Sequence, residues 1–234
     1  MYEELQQQYN LLSLEDKNAL LIYKSRLFDF INRIDLILYN EKLKEQYRDK
    51  YEKFKKIISI PENNFIRYSI FNSINFNTYN LFLESIKTIE QRILNIQKIK
   101  LTTDTKVYRA VTVKDESDIQ KISTSNLIST SLDIEITDSF YTYNGKDILY
   151  QINLSKGTYC LIVPYSIKIY EKDNKQILKI ENNDSQKEII LFKNLLNYTI
   201  ISNQYLKDEN LIIAKIETSY NKNITKWKDI IKKI

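Results

Sequence analysis

The 234-residue chain is 43% hydrophobic and 28% charged, and its 35 Lys and Arg exceed its 30 Asp and Glu by a formal net charge of +5. This balance predicts a globular domain with a sizeable core and is far too mild for a nucleic-acid-binding surface. Because the chain contains no His, it has no imidazole base, no His-ligated metal and no Ser-His catalytic pair.

The first hundred residues have the hydrophobic spacing of helices. Ser13 begins a capping box, and apolar residues then recur at helical intervals. A more charged helix is predicted over about 41–58 and ends before Pro61. Two further helical stretches are predicted over about 65–73 and 78–99.

From Lys106 onward, short β-rich runs alternate with polar turns. The runs are VYRAVTV, LISTSL, ILYQINL, TYCLIVP, IKIYE, EIILF, YTIISNQYL and NLIIAKIE. A helical front and a strand-rich back predict an α+β fold, with an N-terminal helical layer followed by a mixed β core. We expect one domain over 1–234, mainly helical at 1–104 and β-rich at 105–217, with a basic C-terminal helix at 218–234.

The C-terminal helix would place five apolar residues on one face, flanked by lysines: Ile224, Trp227, Ile230, Ile231 and Ile234. Docking of this face on its own domain is favoured over a membrane-surface helix. No apolar run is long enough to cross a bilayer, and the start of the chain lacks the pattern of a signal peptide.

The single cysteine, Cys160, lies within a run that reads as a buried strand. One cysteine cannot form an internal disulfide, and without His it has no base to activate it. A small buried hydrophobic residue is the favoured interpretation.

Arg109 lies on the same predicted strand face as Val107 and Val111, because side chains alternate along a strand. An arginine on an apolar face must be paired or held for a ligand, and its guanidinium fork suits a diphosphate. The alternative is that Arg109 lies on an edge strand and forms a structural ion pair. If this strand is considered by itself, that alternative is favoured.

A hydroxyl triplet occurs twice, at 123–125 and at 129–131. The second copy, Ser129-Thr130-Ser131, is the better candidate because apolar residues flank it, so its hydroxyls need hydrogen-bond partners in a buried strand. Further along, Gln186 and Glu188 are two residues apart at the entrance to a strand and project from one face. Alone, such a pair is ordinarily solvated.

The ordered set of Arg109, Ser129 and Gln186-x-Glu188 resembles the clostridial-type mono-ADP-ribosyltransferase toxins, which comprise C3-like exoenzymes and the enzymatic components of binary toxins. The resemblance covers roughly 14–217. Tyr23 and Asn32, nine residues apart in one predicted front helix, match family residues that flank the NAD cleft. Asn126 matches an asparagine that contacts NAD, and Phe140 an aromatic that packs against nicotinamide.

The resemblance implies a mixed β-sandwich ADP-ribosyltransferase core and NAD as substrate, with no metal. Arg109 would hold the NAD phosphates, Ser129 would position the catalytic carboxylate, and Glu188 would contact the 2′-hydroxyl of the nicotinamide ribose. A fixed carboxylate suits this chemistry because glycosidic cleavage develops positive charge on the ribose.

Gln186 bears on the acceptor, because in this family Gln two before the glutamate accompanies asparagine or glutamine of Rho-type GTPases, or guanine bases. A side-chain amide both donates to and accepts from an acceptor amide. Three departures from the family pattern are relevant. Tyr143 replaces a common arginine, which predicts weaker or rearranged phosphate binding, and Asn183 replaces an aromatic of the target-recognition loop. The stretch 165–180 is also longer than the usual connection.

The function expected from the resemblance is a toxin or effector that acts on a host protein, such as a small GTPase, in the host cytosol. It would be secreted or delivered there, with a translocation partner or another entry route. Three alternatives stay open: an NAD glycohydrolase, a guanine-modifying transferase, and a catalytically silent docking module of the same fold.

Overall fold

The computed structural model describes residues 1–96, 99–113, 127–140, 146–182, 187–192, 196–206 and 211–220. It has the predicted α+β fold, with six α-helices and nine strands in this part of the chain. The chain divides into two compact units. We call them the sheet unit (Met1–Leu11, Gln97–Pro164 and Asp184–Ile234) and the helical unit (Leu12–Ile96 and Tyr165–Asn183).

The helical unit contains five of the helices: α2 (Leu14–Tyr23), α3 (Phe28–Tyr39), α4 (Glu41–Ile58), α5 (Asn64–Ser69) and α6 (Tyr79–Leu94). Three of them begin at a residue whose side-chain oxygen accepts a hydrogen bond from the backbone N–H three residues later: Ser13 before α2, Asn40 before α4 and Thr78 before α6. Such caps satisfy donors that the first helical turn leaves unpaired.

An aromatic cluster forms the core of the helical unit. The Phe82 ring lies at the centre, with its centroid 5.1 Å from that of Phe30 and 4.9 Å from that of Tyr51. Phe30 also packs edge-on against Tyr47, with centroids 5.0 Å apart. These rings come from α3, α4 and α6 and join the three helices through a large buried apolar area.

The front helix predicted to carry both Tyr23 and Asn32 is two helices. Ser25 lies between α2 and α3, where its hydroxyl donates to the Ile22 carbonyl at 2.6 Å and accepts from the Leu27 N–H at 3.1 Å. The side chain takes backbone groups that a continuous helix would pair internally, so the helix ends here.

The helical unit also contains a β-hairpin, formed by β5 (Tyr165–Lys172) and β6 (Lys175–Asn182). Its two-residue turn places Asp173 and Asn174 at φ of 51° and 59°. These residue types tolerate left-handed backbone, which a tight hairpin turn of this kind requires.

Asn63 ties the hairpin to the helices. Its Nδ2 donates to the Ile57 carbonyl at 2.7 Å and to the Gln176 carbonyl at 2.9 Å, while its Oδ1 accepts from the Leu178 N–H at 2.8 Å. The Asn63 side chain is buried, as are its bonds to Ile57 and Leu178, so these contacts satisfy polar groups that have little access to water.

The sheet unit contains helix α1 (Tyr2–Asn10) and a seven-stranded sheet in the order β4-β7-β2-β1-β3-β9-β8. The strands are β1 (Thr105–Val113), β2 (Leu127–Ser131), β3 (Lys146–Leu154), β4 (Cys160–Ile162), β7 (Glu188–Phe192), β8 (Leu196–Leu206) and β9 (Leu211–Tyr220). The sheet is mixed: β3 and β9 are parallel and the other neighbours are antiparallel.

Several boundaries differ from the predicted ones. Helix α6 ends at Leu94, five residues earlier than expected, and Asn95 caps it. Strand β9 continues to Tyr220, so the first three residues assigned to the C-terminal helix are strand. Strand β6 was not predicted, and the rest of the predicted C-terminal helix lies outside the described residues. No helix in the described ranges is long and apolar enough to span a membrane.

We predict that Asn63→Ala lowers the free energy of unfolding by about 2–4 kcal/mol, because it removes three hydrogen bonds and takes the only side-chain acceptor from the buried Leu178 N–H. Urea denaturation would measure this change. Asn64→Ala is the matched control, since that neighbour is exposed, and it should change stability by no more than about 0.5 kcal/mol. Equal effects of the two substitutions would contradict the role assigned to Asn63.

Cys160 is fully buried in β4, as predicted, and burial raises the pKa of its thiol to about 12. We therefore expect iodoacetamide at pH 8 to leave the folded protein unmodified, because only about one thiol in 10⁴ is then ionised and the sulfur is inaccessible. Mass spectrometry should show complete alkylation in urea. Rapid alkylation of the native chain would contradict this placement.

Candidate active site

The register between β2 and β7 brings Ser129 and Glu188 together. Ser131 pairs with Glu188, and Ser129 pairs with Ile190. Because paired residues project from the same face, Ser129 and Glu188 are diagonal neighbours on that face. The Ser129 hydroxyl donates a hydrogen bond to Glu188 Oε1.

Glu188 is buried, with 5% of its surface exposed. A carboxylate at this depth is stabilised only where hydrogen bonds replace its hydration. The bond from Ser129 supplies one such contact and fixes the direction of the carboxylate. The site therefore holds a buried acid in a defined orientation.

Arg109 joins the same cluster from β1. Its Nη1 donates to the backbone carbonyl of Ser129 at 2.7 Å, and its side chain is half-buried. β1 lies next to β2 in the sheet, and Tyr108 of β1 pairs with Ser131 of β2. The arginine thus bonds to the backbone of the residue whose hydroxyl holds Glu188.

Two further contacts fix the strand ends around this cluster. Thr130 Oγ1 donates to the Ile189 carbonyl at 2.6 Å, and the Leu132 N–H donates to the Lys187 carbonyl at 3.2 Å. The first contact joins β2 to β7, and the second joins the residue after β2 to the residue before β7, both beside the Ser129–Glu188 pair. They limit movement of the two strands relative to each other.

Lys187, the residue immediately before Glu188, has a φ of 40°. Left-handed backbone at a residue other than glycine costs about 1–2 kcal/mol and persists where surrounding contacts impose it. Sequence reasoning did not identify this residue, because lysine has no preference for such a conformation. The strained entry to β7 sets the position from which the Glu188 side chain departs.

The other predicted site residues are not part of this cluster. Tyr23, at the end of α2, and Asn32, in α3, belong to the helical unit. Tyr23 is buried, and the Oδ1 atom of Asn32 is buried without a hydrogen-bond donor among the described residues. Phe140 ends a short 3-10 helix, Glu135–Phe140, and its side chain lies outside the described part.

Four residues of the sequence analysis lie outside the described residues altogether: Asn126, Tyr143, Asn183 and Gln186. The first hydroxyl triplet, 123–125, lies outside them as well. Among the residues that the structure describes, no group of His, Cys, Asp and Glu could hold a metal ion.

Solved structures provide the comparison with known proteins. The ADP-ribosyltransferase Vis of Vibrio splendidus, solved with agmatine, is similar with a TM-score of 0.50 at 11% identity, over 97% of this chain and 87% of that one. A C3-type ADP-ribosyltransferase of Clostridium botulinum has a TM-score of 0.48 at 16% identity, over 92% and 94% of the two chains. The C3 exoenzyme of Clostridium limosum has a TM-score of 0.48 at 15% identity, over 94% and 95%.

The match to Vis extends over nearly the whole of this chain. The chain has the ADP-ribosyltransferase fold. No protein-family model matches the sequence, and no curated protein does. Because one fold serves many functions, the activity of this ADP-ribosyltransferase fold must be argued from Arg109, Ser129 and Glu188.

A double-mutant cycle tests the central contact. We expect the effects of Ser129→Ala and Glu188→Ala on the free energy of unfolding, measured by urea denaturation, to be non-additive, with a coupling energy of about 1–3 kcal/mol. Either substitution alone already removes the hydrogen bond to the carboxylate, so the second cannot remove it again. Ser129→Ala combined with Glu217→Ala is the control, since β9 lies three strands from β2. Additivity in both pairs would contradict the Ser129–Glu188 hydrogen bond.

Proposed function

We propose that this protein is an NAD-dependent mono-ADP-ribosyltransferase that cleaves the nicotinamide–ribose bond and transfers ADP-ribose to a host protein. The observation that carries the proposal is the buried Glu188 carboxylate, oriented by Ser129 and bonded through that serine to Arg109. The fold supports the same class of reaction.

Glu188 supplies the electrostatic part of the mechanism. As the bond from ribose to nicotinamide lengthens, positive charge develops on the ribose ring. A carboxylate already fixed in a partly water-excluded site stabilises that charge without having to reorganise. Ser129 acts as a positioning residue because its hydroxyl holds one carboxylate oxygen in place.

Arg109 supplies the anchor for the diphosphate. A guanidinium has five N–H donors in a planar fork, and one of them bonds to the Ser129 carbonyl. The same fork geometry suits two phosphate oxygens. Arg109 would therefore fix the NAD phosphates at a set distance from the carboxylate that Ser129 orients.

The remaining NAD contacts are proposed from the resemblance: Tyr23, Asn32, Asn126 and Phe140. Asn32 has support of its own in the structure. Its Oδ1 is buried without a donor in the described ranges, and such an oxygen requires water or a ligand group to satisfy it.

We propose that the acceptor is an asparagine or glutamine, of the kind found on Rho-type GTPases. Gln186 carries this part of the proposal, because an amide can both donate to and accept from an acceptor amide. Vis, by contrast, is solved with agmatine, whose guanidinium only donates hydrogen bonds. The protein would act in the host cytosol after secretion or delivery, with the help of a translocation partner.

The experiment incubates the purified protein with adenylate-labelled NAD and a eukaryotic cell lysate, and follows label into protein, nucleic acid and free ADP-ribose. We expect one or a few labelled protein bands. Glu188→Gln should lower the rate of nicotinamide release about 10²–10³-fold, because it removes the charge that stabilises the transition state. Glu217→Gln, the same change at an exposed residue of the same sheet, is the control.

Each other distribution of label favours a different function. Label in free ADP-ribose alone would indicate an NAD glycohydrolase, and label in nucleic acid a guanine-modifying transferase. NAD binding without nicotinamide release would indicate a silent docking module. Equal nicotinamide release by wild type and Glu188→Gln would overturn the role of Glu188.

A further inference from the structure

The β5–β6 hairpin has two unlike faces. Ile167 and Leu178 are buried on the inner face, which packs on the helical unit. The alternate residues project to the other side, which we call the outer face: Ser166, Lys168, Tyr170, Lys172, Lys175, Ile177, Lys179 and Glu181. Ser166 is buried, Ile177 and Glu181 are half-buried, and the lysines and Tyr170 are exposed.

The outer face is positively charged, with four lysines and one glutamate. Lys168 forms an ion pair with Glu181 at 3.3 Å, and Lys175 pairs with Glu62. Lys172 and Lys179 form no ion pair among the described residues, although the Tyr170 hydrogen bond and then the charge of Lys179 lower the pKa of the nearby Glu181 carboxyl. The ammonium groups of Lys172 and Lys179 could therefore contact an acidic partner on the outer face of the hairpin.

Tyr170 lies among these lysines, with 37% of its surface exposed. Its hydroxyl donates to Glu181, and the Lys179 ammonium lies 5.2 Å from its ring centroid. A rigidly held, accessible tyrosine is a residue type that dominates the binding energy of protein interfaces. The outer face thus combines a fixed aromatic with an excess of positive charge.

The hairpin is attached firmly enough to act as a binding surface. Asn63 bonds to both the backbone of β6 and the end of α4, and the Ile167 N–H donates to the Lys24 carbonyl at 3.3 Å. In the sequence, the hairpin ends at Asn182, six residues before Glu188. The same stretch of chain therefore continues directly into the proposed catalytic residue.

We infer that the outer face of the hairpin docks an acidic surface of the protein acceptor. This inference rests on the proposed function and adds the chemistry by which the acceptor is recognised. Complementary charge across an interface accelerates encounter and fixes orientation, so the lysines would align the acceptor for transfer.

A protein is favoured over a nucleic acid as the occupant. The outer face has no arginine, the residue that binds phosphate through two parallel hydrogen bonds. An acidic protein surface can instead place carboxylates on Lys172 and Lys179 and apolar atoms on Tyr170.

The test compares the double variant K172E/K179E with K42E/K53E, which reverses two exposed lysines of α4. Both variants lower the formal net charge from +5 to +1, because each Lys-to-Glu change subtracts two charges. Two rates are measured: NAD hydrolysis by the protein alone, and initial transfer of label from NAD to lysate protein at several salt concentrations.

We expect K172E/K179E to reduce transfer to protein about tenfold or more at low salt, because like charges then oppose docking. Its rate of NAD hydrolysis should stay within about twofold of the wild-type rate. The difference in transfer rate between wild type and K172E/K179E should shrink as the salt concentration rises, because salt screens the charges. K42E/K53E should retain both rates, and the neutral variant K172Q/K179Q should lie between the two extremes.

Transfer by K172E/K179E equal to that of K42E/K53E would overturn the hairpin inference alone. A loss that appears only in labelling of nucleic acid would also overturn it, since the occupant would not be a protein. If the wild type neither hydrolyses NAD nor transfers label, the proposed function fails and the inference fails with it.

Discussion

The register of β2 against β7 is the constraint on which the site depends. It sets the Ser129 hydroxyl against the Glu188 carboxylate, and Arg109 then bonds to the backbone of that same serine. A slip of one residue would turn Ser129 to the opposite face and separate it from the acid. The Thr130 contact to the Ile189 carbonyl holds this register from within the ladder.

Much of the secondary structure could be predicted from the sequence, because the hydrophobic patterns of helices and strands are local. The alternating runs correspond to eight of the nine described strands, and the charged pattern of 41–58 coincides with α4. Arg109, Ser129 and Glu188 lie on three different strands, and the resemblance of their order and spacing to a known family predicted that they belong to one site; hydrogen bonds join them in the structure. The fold likewise follows from the shift between helical and strand periodicity near 104.

Other features depend on contacts that a linear pattern does not show. Ser25 ends α2 by bonding to the backbone on both sides, although apolar residues continue at helical spacing across it. Strand β6 has charged or polar residues at both ends and is held by Asn63, more than a hundred residues earlier. The left-handed Lys187 is imposed by its position at the entry to β7 and by no preference of lysine itself.

The central claim is that NAD binds with its nicotinamide ribose against Glu188 and its diphosphate against Arg109. A crystal structure of the Glu188→Gln variant with NAD tests this most directly, because the substitution retains the side-chain shape while slowing cleavage. We expect the ribose hydroxyls within hydrogen-bond distance of residue 188 and phosphate oxygens on the Arg109 guanidinium. NAD bound elsewhere, or bound with its ribose away from residue 188, would contradict the account.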